Sequence, residues 1–160
     1  MADTPILNAH NKAEFPPMHT AEHLLNQTMV RMFGCERSRN AHIERKKSKI
    51  SYQLDAEPTP EQVEQIVSKM NELIKADLPV TYEFVNAADA PHEVSLDRLP
   101  NDASETLRLV RIGNYDVCPC IGLHVASTSE LKEFILLGTN WDEDKHSFRI
   151  RFKLGVKATN

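Results

Sequence analysis

The chain has 160 residues, 41% of them hydrophobic, and a formal net charge of -4; at that length one core buries roughly 70% of the unfolded surface, so a single domain over residues 1–160 is expected. His10, Lys12, Glu14, His19, Glu22 and His23 interrupt the opening stretch, which argues against a signal peptide or a membrane span and leads us to expect a cytoplasmic protein. Cys35, Cys118 and Cys120 are an odd and sparse set, unlike the disulfide framework of a small secreted domain, so the thiols are expected to be free or bound to metal.

In chain order, Pro16-Pro17 ends an irregular segment, after which Ala21, Leu24, Leu25, Thr28, Met32 and Phe33 recur at helical spacing until Gly34. From His42 to Leu54 the pattern becomes alternating, with Ile50, Tyr52 and Leu54 against Lys49, Ser51 and Gln53, which predicts one half-buried strand. Thr59 followed by Pro60 and Gln62 has the form of a capping box, and Val63, Ile66, Val67, Met70, Leu73 and Ile74 form the apolar stripe of a second helix. Val80, Tyr82 and Phe84 predict a strand, as do Leu107 to Ile112, with a polar surface connection from Asp89 to Asp102 between them. Phe134 to Leu137 and Phe148, Ile150, Phe152 and Leu154 flank the turn Asp142-Glu143-Asp144 and suggest a hairpin. Elements that do not alternate regularly, joined partly by hairpins, predict an α+β domain with an antiparallel sheet packed on helices.

The charge is unevenly placed. Between Arg37 and Lys49 there are six basic residues (Arg37, Arg39, Arg45, Lys46, Lys47, Lys49) against one acidic residue, Glu44, and Arg149, Arg151, Lys153 and Lys157 form a second run without acids. Separate solvated strand faces would account for both runs; RNA contact follows only if both face one site.

His19 and His23 stand four residues apart, so on a helix they share a face and both imidazoles reach one ion. Two partly exposed histidines on an amphipathic helix give the same spacing. The second cluster is Asp116-Val117-Cys118-Pro119-Cys120-Ile121-Gly122-Leu123-His124-Val125, where a thiolate and an imidazole come together after a strand. With the first pair they make three nitrogens and one sulfur, a set suited to tetrahedral zinc. Cys118 competes for the sulfur position, and Pro119 makes it hard for both thiolates to meet one ion; we favour Cys120.

His19-Thr20-Ala21-Glu22-His23-Leu24-Leu25, followed by Pro119-Cys120-Ile121-Gly122-Leu123-His124-Val125, resembles the paired zinc motifs of the alanyl- and threonyl-tRNA synthetase editing domains, and above all the freestanding alanyl-tRNA editing proteins of the AlaX type. The likeness extends to the helix from Val63 to Ile74, the strand at Leu78 to Val80 and the stretch Arg108-Leu109-Val110-Arg111-Ile112-Gly113. It implies an editing-domain fold, zinc held by His19, His23, Cys120 and His124, and hydrolysis of a wrong amino acid from tRNA, with serine or glycine on alanine tRNA the leading substrates. By family position it places Arg45, Lys47 and Ser48 near the pocket and the acceptor end of the tRNA. Family members usually carry two glycines and a threonine where this chain has Ile121, Gly122 and Leu123. Little chain precedes His19, so a minimal form of the family is expected.

The chemistry expected is a metal that positions the aminoacyl end, with backbone donors of the Gly122 turn helping the oxyanion. Two other functions compete. His19-x-x-Glu22-His23 fits an inverted zinc-protease pattern in which Glu22 is the general base. Four protein ligands also make a purely structural zinc in a tRNA-binding module, contributing on the order of 10 kcal/mol to folding.

Overall fold

A computed structural model of the protein describes residues 15–86 and 106–156, so the Asp89 to Asp102 connection and Lys157 lie outside the described residues. Helix α1, Pro16–Phe33, opens on prolines whose missing N–H groups have no intrahelical acceptor to lose. It closes at Gly34, whose φ of 67 suits a residue without a Cβ and whose N–H bonds the Val30 carbonyl at 2.9 Å.

The single strand expected from His42 to Leu54 is instead two, β1 (Asn40–His42) and β2 (Ser48–Gln53), paired antiparallel with Ala41 opposite Ile50. Ser48 is the physical reason for the reversal. Its hydroxyl accepts the Glu44 N–H at 3.0 Å and donates to the Glu44 carbonyl at 3.2 Å, satisfying backbone groups locally that a continuous strand would leave to a ladder.

Helix α2, Pro60–Lys75, begins with both halves of the capping box formed: Gln62 N–H to Thr59 Oγ1 at 3.1 Å and Thr59 N–H to Gln62 Oε1 at 2.9 Å. Ile66, Met70, Leu73 and Ile74 are its buried stripe. Strands β3 (Val80–Asn86), β4 (Thr106–Ile112) and β5 (Asp116–Pro119) form an antiparallel sheet in chain order. After a 3-10 turn at Thr128–Leu131 come β6 (Phe134–Asp142) and β7 (Ser147–Leu154), the expected hairpin with β6 longer than its apolar start. The second sheet runs β1-β2-β7-β6, so the α+β class holds with two antiparallel sheets in place of one.

One apolar core joins these layers: Leu24, Leu25 and Met29 from α1, Ile66 and Met70 from α2, Ile50, Ile150 and Phe152 from the four-stranded sheet, and Val110 and Ile112 from the other. Helix α1 packs on α2, the 3-10 turn and β5, the edge strand of the three-stranded sheet. No helix among the described residues is long and apolar enough to cross a membrane. Because the Thr59 cap stands at an exposed helix start, Thr59→Ala is expected to lower stability by about 1 kcal/mol in chemical denaturation without changing metal binding.

Candidate metal centre

Helix α1 presents His19 and His23 one turn apart, with ring centroids separated by 5.1 Å. The β4–β5 ladder continues one step past the strand through Cys120 N–H to the Arg108 carbonyl at 3.1 Å, which fixes where the Cys120 thiol starts. The turn that follows brings His124 back to the helix. Its ring stacks on His19 at 4.3 Å and meets His23 edge-on at 4.5 Å. One donor atom from each of His19, His23, Cys120 and His124 lies within 4.8 Å of the others, and Cys118 is outside this group.

Two of the rings, those of His19 and His124, are oriented by their other nitrogens. His19 Nδ1 donates to the Leu123 carbonyl at 3.1 Å, and His124 Nδ1 lies 3.0 Å from Thr20 Oγ1, which also accepts the Val125 N–H at 3.2 Å. His23 Nδ1 faces Asp116 Oδ2 at 3.7 Å, beyond hydrogen-bond length. With each Nδ1 turned toward the protein, the three Nε2 atoms remain for a shared centre. His19 Nε2 is 3.5 Å from Cys120 Sγ, close to the donor separation of roughly 3.5 Å that zinc–nitrogen and zinc–sulfur bonds impose on a tetrahedron.

His124 Nε2 is buried with no hydrogen-bond partner among the described residues. A desolvated nitrogen lone pair is unfavourable unless an electrophile meets it, and a divalent cation is the electrophile this set of three imidazoles and one thiol fits. The ionisation of the group agrees. Burial, together with the neighbouring His23 and His19, pushes His124 down to about 2, and burial outweighs Asp116 to lower His23, so both imidazoles stay neutral as ligands must. Burial pushes the Cys120 thiol up to about 12 despite the Gly122 N–H, which reaches its sulfur at 3.3 Å. A cation that replaces that proton reverses the balance.

Asp116 supports the centre from below. Burial alone raises a carboxyl group, yet His23 and the Arg37 guanidinium outweigh it and hold Asp116 below its ordinary range. Arg37 meets it with two bonds, at 2.8 and 3.3 Å. Arg108 braces the far side, its Nη2 donating to the Gly122 carbonyl at 2.5 Å while its guanidinium lies 4.5 Å from the Tyr82 ring centroid. Tyr82, Phe84, Ile121 and Leu123 are exposed and form an apolar rim, with Tyr82 6.5 Å from His124. Glu22 Oε1 stands 4.0 Å from His19 Nε2.

The other expected site residues are placed differently. Gly122 lies in the centre, but its N–H points at the Cys120 sulfur and its carbonyl at Arg108, so neither is directed at a substrate oxyanion. Arg45 and Lys47 sit on the β1–β2 turn, Arg45 with its guanidinium 5.8 Å from the Phe15 ring centroid and Lys47 exposed. Ser48 is buried and closes that turn, and its Oγ lies 3.4 Å from the sulfur of Met18, the residue before His19. Thr20, Arg37, Arg108 and Asp116 were not singled out by sequence as parts of the centre. Thr20 stands inside the histidine motif and Asp116 opens the cysteine motif, but which polar neighbour turns inward is a property of packing.

Residues 107–150 match the family described as the threonyl and alanyl tRNA synthetase second additional domain. That stretch carries Cys120 and His124, and the chain is similar to this family in its α+β fold and in its paired histidine and cysteine motifs. It is 31% identical to the alanyl-tRNA editing protein AlaX-L of Pyrococcus horikoshii over 143 residues, covering 88% of this chain and 34% of that one. It is 32% identical to the alanyl-tRNA editing protein Aarsd1 of Danio rerio over 123 residues, 76% of this chain and 29% of the relative. The alanine–tRNA ligase of Treponema pallidum is 33% identical over 136 residues, 79% of this chain and 21% of the ligase. The chain thus spans about a third or less of the length of these relatives.

Removing one partner of a buried ion pair leaves the other charge uncompensated. Arg37→Ala is therefore expected to cost about 3–5 kcal/mol in denaturant unfolding. Asp116→Asn is expected to weaken metal affinity roughly 10–100-fold in a chelator competition, through loss of orientation at His23.

Proposed function

We propose that this chain removes wrong amino acids from tRNA by ester hydrolysis, acting in trans, with zinc held by His19, His23, Cys120 and His124. The observation that carries this reading is the convergence of those four donors, from motifs roughly a hundred residues apart in sequence, on one partly buried centre where His124 Nε2 has no hydrogen-bond partner among the described residues. Serine or glycine esterified to alanine tRNA is the substrate we favour, in line with relatives named alanyl-tRNA editing proteins.

When bound, zinc supplies Lewis acidity beside the ester and a positive charge that holds the aminoacyl end. The protein's own groups do the rest. Water adds to the ester carbonyl, the bond from that carbon to the ribose oxygen breaks, and the products are a free amino acid and a tRNA hydroxyl. The proton lost by water is the one the ribose oxygen needs. Glu22 Oε1, near the centre beside His19, is placed to carry it from one to the other. The Gly122 N–H stabilises the thiolate form of Cys120 and Arg108 holds the turn, so their part is to position the ligand loop. Tyr82, Ile121 and Leu123 give the mouth an apolar wall against which the terminal nucleotide and its ester are confined. Arg45 and Lys47 approach acceptor-end phosphates from the β1–β2 turn, whose shape Ser48 maintains.

A second reading follows from the donor count: four protein ligands complete a tetrahedron, as in a purely structural zinc of a tRNA-binding module. Deacylation of a panel of mischarged tRNAs by metal-assayed protein separates the two. Release of serine or glycine from alanine tRNA by the native protein, abolished in Cys120→Ala, is the expected result. Glu22→Gln is expected to lower kcat roughly 100-fold or more with zinc retained. A folded, zinc-loaded protein that releases nothing would assign the metal to structure, and cleavage of peptides instead would assign Glu22 and the metal to proteolysis.

A further inference from the structure

The two basic runs, far apart in sequence, are brought onto one surface by the pairing of β2 with β7. Lys49 stands directly opposite Arg151, and Ser51 opposite Arg149. In β7 the residues Phe148, Ile150, Phe152 and Leu154 are buried, so Arg149, Arg151 and Lys153 point away from the core, as Lys49 does between buried Ser48 and Ile50. Outward side chains on one strand repeat about every 7 Å, and neighbouring strands lie about 5 Å apart. Four cations are therefore crowded onto one sheet face, and like charges directly opposite destabilise a sheet.

Four cations elsewhere are matched to acids: Arg37 to Asp116, Arg111 to Glu83, Lys69 to Glu72 and Arg39 to Glu36. None of Lys47, Lys49, Arg149, Arg151 and Lys153 has an ion pair with a described residue. At the edge of the same face a cavity of about 260 Å³ opens between Lys47, Lys49, Arg151 and His42. A β-bulge between Leu136 and Gly138 turns Leu137 into its wall, and the one acid there, Glu44, lies 3.2 Å from His42. In a chain whose net charge is -4, an uncompensated cationic face marks the side on which a polyanion docks.

We propose that the outer face of the four-stranded sheet seats the phosphate backbone of the tRNA acceptor arm, with Lys49 and Arg151 at its centre and Lys47, Arg149 and Lys153 around them. This rests on the editing reading above, and it supplies the second contact that an acceptor end entering the metal centre requires. The partner is duplex backbone, for the face carries cations in rows and, among the described residues, no exposed phenylalanine, tyrosine or tryptophan on which a single-stranded base stacks; the exposed rings Tyr82 and Phe84 belong to the other sheet. The contacts position the RNA and read no sequence. Ser48, between Lys47 and Lys49, touches Met18 beside His19, so the face is joined to the metal-bearing helix by direct packing.

The test is binding of uncharged alanine tRNA across a salt series by the native protein and by the double variant Lys49→Gln/Arg151→Gln, with metal content and melting temperature measured alongside. Neutralising two phosphate contacts lowers the slope of log affinity against log salt by about 2, and affinity at moderate salt is expected to fall roughly tenfold or more. The free variant is expected to melt no lower than the native protein, because a like-charge pair has been removed. Arg149→Gln/Lys153→Gln, on the same face, is expected to act in the same direction. Unchanged affinity and slope in both variants would overturn the proposal, as would native protein that prefers anionic lipid vesicles to tRNA. Deacylation retained with an unchanged slope would refute this surface and leave the editing reading standing; tRNA binding that depends on Lys49 and Arg151 without any deacylation would refute the editing reading and leave the surface.

Discussion

Asp116 is a carboxylate with its side chain removed from solvent, and such a group is tolerated only when charge and hydrogen bonds meet it from the protein. Arg37, which follows α1, takes both of its oxygens, while His23, from within α1, faces it from the other side. The same carboxylate fastens the chain leaving the helix to the first residue of β5 and faces the ring of His23 at 3.7 Å. The neighbouring residue extends the latch: the Tyr115 carbonyl accepts from Gln27 Nε2 at 2.8 Å and Arg31 Nη2 at 2.7 Å, and its hydroxyl meets Thr28 Oγ1 at 2.8 Å. Helix α1 is thereby held from His23 to Arg31 against Tyr115 and Asp116, and this docking helps set the positions of His19 and His23 relative to Cys120.

The price of this placement is local. Three imidazoles and a thiol are confined in a space that water does not reach well, and their lone pairs point at one another. Neutral His23 and His124 rings and a protonated sulfur are the form burial favours here, and a divalent cation would turn their crowding into coordination. The donors come from the helix and from the turn, so a cation bound by them would also tie the first helix to the loop after β5. Site chemistry and fold stability are in this way coupled through the same atoms.

The four-stranded sheet divides its labour by strand alternation. Its inner face contributes Ile50, Ile150 and Phe152 to the common core, and its outer face gathers lysines and arginines that form no ion pair with a described residue. One register serves both ends, since a slip of one residue would put Arg151 in the core and Phe152 in water. Core packing therefore guarantees the alignment of Lys49 with Arg151, although repulsion between them opposes it.

Much of this was legible without coordinates. The helices announce themselves through Pro16, Gly34, Thr59 and Gln62, whose chemistry is local, and the four donors through two spacings that a helix and a strand-turn bring onto single faces. The turn at 43–47 was not, because alternation alone does not reveal that Ser48 bonds back to Glu44. Nor did the residues around the donors declare themselves: Thr20, Arg37, Arg108 and Asp116 are ordinary polar residues until packing decides which are buried and whom they meet. The sequence by itself determined both helices, most of the strands, the family likeness and the metal-capable residues, since these depend on neighbours within a turn or two. Tertiary structure alone decided the orientation of each ring, the direction of the Gly122 N–H and the meeting of two basic runs on one face, because each depends on the register between segments far apart in the chain.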